Sequence, residues 1–417
     1  MDSLASTRTL VADTNSRFQA PPKRMQTFGA PRPSGEMRRP EVASHSGRIS
    51  ESVEESEDEE TDYYSTGGGA TLADYPDSSQ TNRRPPRFKE RPWDIGTKYE
   101  TKLFAICGEF VCTSGYITRV WSLLTGELLM NLVHGETTKV TAMAFKPAKD
   151  VEEEGNRIWL GTNTGELHEV DIPTQTVVLT KSNAHTRMPI TKIHRQAGEM
   201  WTFDEDGKLL VWPEGDDGLP SLSLSPHVCR VPKGGTFSVI VKTKLWIAYG
   251  KEISIFEHIA ANRTATQILQ KPLIQPGVGE VTSGTIISSQ SDRIYFGHID
   301  GKVTIYSRKD YSCLGIVNVS LYKISSLVGV GDFLWAGFNT GMIYVYDTTS
   351  QPWKVKKDWK AHENTIAGIL VDRTSIWKLN RLQVASLGTD NAIRLWDGML
   401  KDDWLGVCLL YDCNALN

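Results

Sequence analysis

The chain has 417 residues, 39% hydrophobic and 23% charged, with a formal net charge of −4. That balance argues against a basic nucleic-acid binder, and no window approaches 18 consecutive apolar residues, so no transmembrane segment is expected. The N-terminus lacks the apolar core of a signal peptide. The spacings Cys107/Cys112 and Cys408/Cys413 carry no zinc-type histidines, so reduced thiols in a cytoplasmic setting are expected.

Residues 1–87 are rich in Pro, Ser, Arg and Glu and poor in large apolar side chains. Such a segment buries too little surface to offset the entropy of ordering, so it is predicted to be disordered. Its charges are sorted: residues 1–50 carry eight basic and four acidic residues, and residues 51–62, ESVEESEDEETD, carry eight acidic and none basic. The acidic run reads first as a solvated charge block. Ser52 and Ser56 lie just upstream of carboxylates, which makes them candidate phosphosites.

All 12 Trp fall at Trp93 or later, and from there the sequence repeats. The unit is a short apolar strand, a turn bearing Asn, Asp or Gly, and an alternating strand that usually ends in an aromatic. It occurs at 110–121, 158–170, 201–212, 245–256, 294–306, 334–346 and 384–396. The ends of the seven copies advance by about 46 residues, close to the WD-repeat period of about 40–45. Asp206-Gly207, Asp300-Gly301 and Asp390-Asn391 suit tight hairpins. An apolar strand precedes most copies, as in VTAMAF at 140–145, and would line a central channel. The prediction is an all-β, seven-bladed WD-repeat propeller over 88–405, closed by Phe88–Lys98 as the outer strand of the last blade.

The last unit is the fullest. Ala361-His362 stands in the Gly-His place and Trp396-Asp397 closes it, so His362, Ser386, Asp390 and Trp396 are expected to form one hydrogen-bonded chain. A Ser-His-Asp catalytic triad is disfavoured, because these residues fill repeat positions and no oxyanion feature accompanies them. The other six copies are expected to lack the full set and to rest on packed aromatics. Glu152, Glu153 and Glu154 read as a solvated loop. No phosphate-binding loop, zinc motif or dinucleotide fingerprint occurs, so a binding platform is the expectation.

The body resembles the propeller region that precedes the catalytic domain in fungal and plant-type inositol polyphosphate 5-phosphatases. The resemblance is carried by TKLFAICGEFVCTSGYITRVWSLLTGELL at 101–129 and VASLGTDNAIRLWDGMLKDDWL at 384–405. It implies removal of the 5-phosphate from inositol lipids or soluble inositol phosphates, with magnesium, in a separate domain. That domain's motifs are not found in this sequence, so no catalytic, cofactor or metal residue carries over and no cofactor is assigned to this chain. The tail at 406–417, GVCLLYDCNALN, departs from the family pattern and suggests a truncated or alternative gene model. The expected role is a noncatalytic scaffold that binds proteins through its faces. The alternative is a stand-alone WD-repeat adaptor in signalling or trafficking. Lys354, Lys356, Lys357 and Lys360 form a basic row that is a candidate for peripheral contact with anionic phosphoinositide membranes. No nucleic-acid partner is expected.

Overall fold

The computed structural model describes residues 72–73, 75–89, 93–97, 101–196, 199–257, 259 and 264–400. The repeat units become seven four-stranded antiparallel blades. Blade 1 consists of Leu103–Cys107, Phe110–Ser114, Ile117–Ser122 and Leu128–Val133. The remaining blades follow in chain order, and their first strands are neighbours around a ring. The ring closes where Ile366–Asp372 of blade 7 meets Leu103–Cys107 of blade 1.

The alternating residues explain this arrangement. A strand sends successive side chains to opposite faces, and each blade needs an apolar neighbour on both sides. The buried residues accordingly fall into seven clusters, each drawn mainly from two adjacent blades. Trp159 and Trp212 meet between blades 2 and 3, and Trp335 and Trp396 between blades 6 and 7. The b–c turns (between each blade's second and third strands) need special backbone. In blade 5, Gly301 has φ +76°, and a Cβ there would lie 2.1 Å from the Ser320 carbonyl.

Blade 7 is closed by an N-terminal strand, as the count of units requires. Asp94–Gly96 pairs antiparallel with Ala392–Arg394, and the Leu395 N–H donates to the Trp93 carbonyl at 2.9 Å. Ile95 is buried, and the Arg87 guanidinium sits 3.8 Å above the Trp93 ring.

Much of the predicted disordered region, residues 1–71 and 74, lies outside the described residues, as do Ser52 and Ser56. Its last part differs from the expectation. Leu72–Ala73 adds a fifth, parallel strand to blade 5, opposite Ile316 and Val317. Asp77 and Asn82 then bridge Lys354 and Lys357 of blade 6, with the Asp77 N–H on the Trp353 carbonyl at 2.7 Å. A polar segment can be ordered this way because its backbone groups are satisfied by a sheet edge, without an apolar core of its own. The tail at 406–417 lies outside the described residues. No helix among the described residues is long and apolar enough to cross a membrane.

Candidate functional site

The structure brings His362, Ser386, Asp390 and Trp396 together in blade 7. The Trp396 indole N–H donates to Ser386 Oγ at 2.8 Å, Ser386 Oγ lies 2.7 Å from His362 Nε2, and His362 Nδ1 lies 3.0 Å from Asp390 Oδ1. With the proton on Nδ1, each group donates to the next and ends on a carboxylate. Burial pushes the His362 imidazole below its ordinary pKa, against the opposing pull of Asp390. Burial would raise Asp390, but the bonds from Arg394, the Glu363 N–H and His362 win and bring it to about 2. Gly388 is required by this packing, since a Cβ there would lie 2.3 Å from His362 Nδ1. Ser386 and His362 are both buried, so no substrate can reach the hydroxyl. The arrangement ties strands together and does not present a nucleophile.

Blade 3 holds a second complete set, contrary to the expectation for the other six copies. His185 Nε2 lies 2.8 Å from Thr202 Oγ1, Trp212 Nε1 donates to Thr202 Oγ1 at 3.1 Å, and His185 Nδ1 lies 2.9 Å from Asp204 Oδ2. The carboxylate sits two residues earlier than in blade 7, at the place Gly388 occupies there. The pair Ala184-His185, matching Ala361-His362, was the signal for it.

The opposite face carries a different cluster. Glu154 does not belong to a solvated loop: it is buried and accepts two bonds from Arg195 of blade 3, at 2.8 and 2.7 Å. Lys378, on the short helix Thr374–Leu379 of blade 7, reaches the Glu154 carbonyl at 2.6 Å. Asp372 takes the Gly108 N–H at 2.7 Å, and burial raises its carboxyl to about 6. Burial, reinforced by Asp372 and Glu154, lifts the nearby Cys107 thiol to about 12, which makes it unreactive. These contacts lace blades 7, 1, 2 and 3 together.

Beside them, a cavity of about 300 Å³ opens between blades 2 and 3, lined by Lys146, Arg157, Glu169, Asp171 and Asp217 among others. Glu169 is already bound by Lys146 at 3.1 Å, Arg157 at 3.4 Å and the Trp159 indole at 3.0 Å. Asp171 is bound by Arg157 at 2.7 Å. Carboxylates occupied by fixed cations do not suit a divalent metal, and the described residues contain no group of three His, Cys, Asp or Glu placed to hold one; the magnesium that the resemblance implies belongs to the separate catalytic domain.

The four lysines of the basic row lie on the outer strand of blade 6, Lys354–Lys360, beneath the N-terminal segment. Lys360 Nζ donates to the Thr340 and Glu363 carbonyls at 2.9 and 3.1 Å, and Lys357 Nζ to the Arg84 carbonyl at 3.4 Å. Lys356 stands 3.9 Å from Asp347, and Lys354 is bridged to Asp77 through the backbone.

No family model matches the chain. In fold, it is similar to a chain in the crystal structure of the mitotic checkpoint complex. The TM-score is 0.57 at 14% identity, over 77% of this chain and 97% of that one, and at that identity the likeness shows the fold alone. The sequence comparison carries more. The chain is similar to a probable inositol polyphosphate 5-phosphatase of Schizosaccharomyces pombe. Identity is 36% over 341 residues, covering 79% of this chain and 28% of the relative. The chain therefore spans little more than a quarter of that protein, and its β-propeller is related to that part of it.

Proposed function

We propose that this propeller is a noncatalytic interaction scaffold of the kind that accompanies an inositol polyphosphate 5-phosphatase, and that it localises or regulates such an enzyme in phosphoinositide dephosphorylation. The observation that carries this reading is the 36% identity over 341 residues, 79% of this chain and about a quarter of the phosphatase-named relative. The polar constellations support it, because each is spent on holding blades: the imidazoles of blades 3 and 7 are buried, and on the opposite face Glu154 is paired with Arg195 while Asp372 accepts the Gly108 N–H. What remains free is surface, on two loop-bearing faces, which suits protein partners. Phosphate release from inositol phospholipid vesicles by the purified chain with magnesium tests the noncatalytic claim. No release above background is expected, and turnover would overturn it.

A further inference from the structure

We propose that the cleft between the inner strands of blades 3 and 4 is an anion site, in which the Lys192 ammonium receives a small oxyanion, a phosphate or a carboxylate group. Lys192 lies on the inner strand of blade 3, Ile190–Gln196. His194, two residues on and therefore on the same side of the strand, reaches Ser238 of blade 4 at 2.9 Å, so Lys192 also faces blade 4. Besides Lys192, the seven inner strands carry one permanent cation, Arg195, and one carboxylate, Asp372. Both are already engaged. Arg195 holds Glu154 at 2.8 and 2.7 Å, and Asp372 accepts the Gly108 and Thr374 N–H groups at 2.7 and 3.0 Å. The Lys192 ammonium has no such partner among the described residues.

The junction is open beside this lysine. At two other junctions a threonine near the start of the inner strand ties to the next blade. Thr141 Oγ1 donates to the Ile190 carbonyl at 2.7 Å, and Thr282 Oγ1 to the Ile324 carbonyl at 2.6 Å. The matching Thr191 bonds within its own blade, to the Phe203 carbonyl at 3.4 Å, and is exposed. The side-chain bonds from this strand to blade 4 come from His194 and from Gln196, which donates to the Lys242 carbonyl at 2.7 Å; both lie further along the strand than Lys192. Blade 4 is entered through Gly234 and Gly235, which have no side chain to close the gap. Gly234 has φ +85° with open space where a Cβ would stand, and neither glycine N–H finds an acceptor among the described residues.

The surroundings select the charge of the occupant. The Lys192 side chain is exposed, yet the protein around it holds its ammonium below the ordinary lysine pKa, and no neighbouring charge contributes. A cation inside a channel has both properties, because water reaches it while protein surrounds it. An uncompensated charge so placed is costly, and an oxyanion relieves that cost. Lysine suits the task as a compact point charge with three donors. Its charge also adds to the burial that lowers His194, so neutralising it should let that imidazole rise.

The proposal is independent of the phosphatase reading, since it requires binding and no phosphate release. The full chain is titrated with inorganic phosphate at fixed ionic strength, and both the melting temperature and the NMR titration of the His194 ring are followed. Phosphate stabilises most folded proteins through its exclusion from their surfaces, so the decisive quantity is the difference between wild type and Lys192→Met. Wild type is expected to gain more in melting temperature, and the variant to bind phosphate at least about tenfold more weakly. Lys192→Arg, which keeps the charge, is expected to retain the response. The His194 pKa, about 3 without phosphate, is expected to rise with phosphate in wild type and to stay in place in Lys192→Met. Without phosphate, Lys192→Met should melt no lower than wild type, because it removes an unpaired charge, and this separates a lost site from a lost fold. A peptide of the chain's own residues 51–62, ESVEESEDEETD, distinguishes the sources: competition with phosphate assigns the site to carboxylates of a protein segment, and its absence to a free anion. Equal phosphate responses in wild type and Lys192→Met overturn the proposal, as does a wild-type His194 that phosphate does not move.

Discussion

Blades 6 and 7 are each built from four antiparallel strands, but they are held together differently. Blade 7 runs its Trp396 indole into a serine, a histidine and an aspartate, all inside the fold. Blade 6 has the indoles of Trp335 and Trp359 packed edge to face at 5.5 Å, and neither indole N–H finds an acceptor among the described residues. The blade geometry therefore does not depend on the polar chain. Interlocking apolar faces suffice, and the polar chain adds specificity where it occurs. Blade 7 is also the blade assembled from both ends of the propeller, so it is the place where a directional tie fixes register best.

The strongest way to break this comparison is to remove the N-terminal contribution to blade 7. Deleting residues 86–98 takes away Phe88, Trp93 and Ile95 together with the backbone bonds to Leu395 and Asp397. Loss of two buried large side chains and an edge strand is expected to cost at least about 5 kcal/mol and to abolish a cooperative melt. An unchanged melting temperature would show that three strands suffice for blade 7.

Asp390→Ala probes the polar chain itself. It leaves Arg394, the His362 N–H and the Glu363 N–H without their shared acceptor. A cost of about 3 kcal/mol is expected by denaturant unfolding. A cost under about 1 kcal/mol would place blade 7 in the same class as blade 6.

These ties were legible to different degrees. The seven units and the closing strand could be read from sequence, because strand alternation, turn residues and Trp spacing all repeat. The blade 7 set was readable because its four residues stand at the usual offsets. Blade 3 offers His185, Thr202, Asp206 and Trp212 in the same order and with the same offsets after the hydroxyl, so its set was readable too; what the sequence could not show is that the imidazole reaches Asp204, at the end of the strand, and not the turn residue Asp206. Glu154 was misread because three successive glutamates look solvated, and the partner that buries it, Arg195, lies 41 residues away. The covering segment at 75–87 was illegible for a related reason: its order comes from edges that the body supplies.

The buried and half-buried imidazoles give the comparison a pH axis. Burial holds His134 down at about 4 and, with the charge of Lys192 adding to it, His194 at about 3, and it lowers His185, His298 and His362 as well. The unfolded chain takes up these protons near the ordinary histidine value of about 6.5, before the folded chain does. Stability is therefore full above that pH and falls as pH drops through it, by at most about 1.4 kcal/mol per pH unit for a fully shifted, fully buried group and by less for the half-exposed His134, whose charge water screens. Thermal melts are expected to fall between pH 7 and 5, and His194→Gln should flatten that slope. An identical slope would mean that His194 does not titrate with unfolding.

The indoles sharpen the contrast on a smaller scale. Trp396→Phe removes a donor from Ser386, whereas Trp335→Phe removes an N–H that has no acceptor among the described residues. The first substitution is expected to cost about 1 kcal/mol more than the second, the net value of one buried hydrogen bond. Equal costs from parallel denaturant titrations would make packing the whole of both blades.

The smallest effect is expected at Lys354, Lys356, Lys357 and Lys360. Each lysine near an anionic bilayer contributes about 1 kcal/mol, so a lipid-facing row of four would lose several hundredfold in vesicle binding on conversion to alanine. Here two of the ammonium groups are spent on backbone carbonyls and a third stands beside a carboxylate. The covering segment bridges the strand at Lys354 and Lys357. Exposed pairs of this kind are worth about 0–1 kcal/mol, so the quadruple alanine variant should melt close to wild type and bind anionic vesicles within about twofold of it. A loss of a hundredfold or more would assign the row to lipid. It would also mean that the segment over blade 6 lifts away at the membrane.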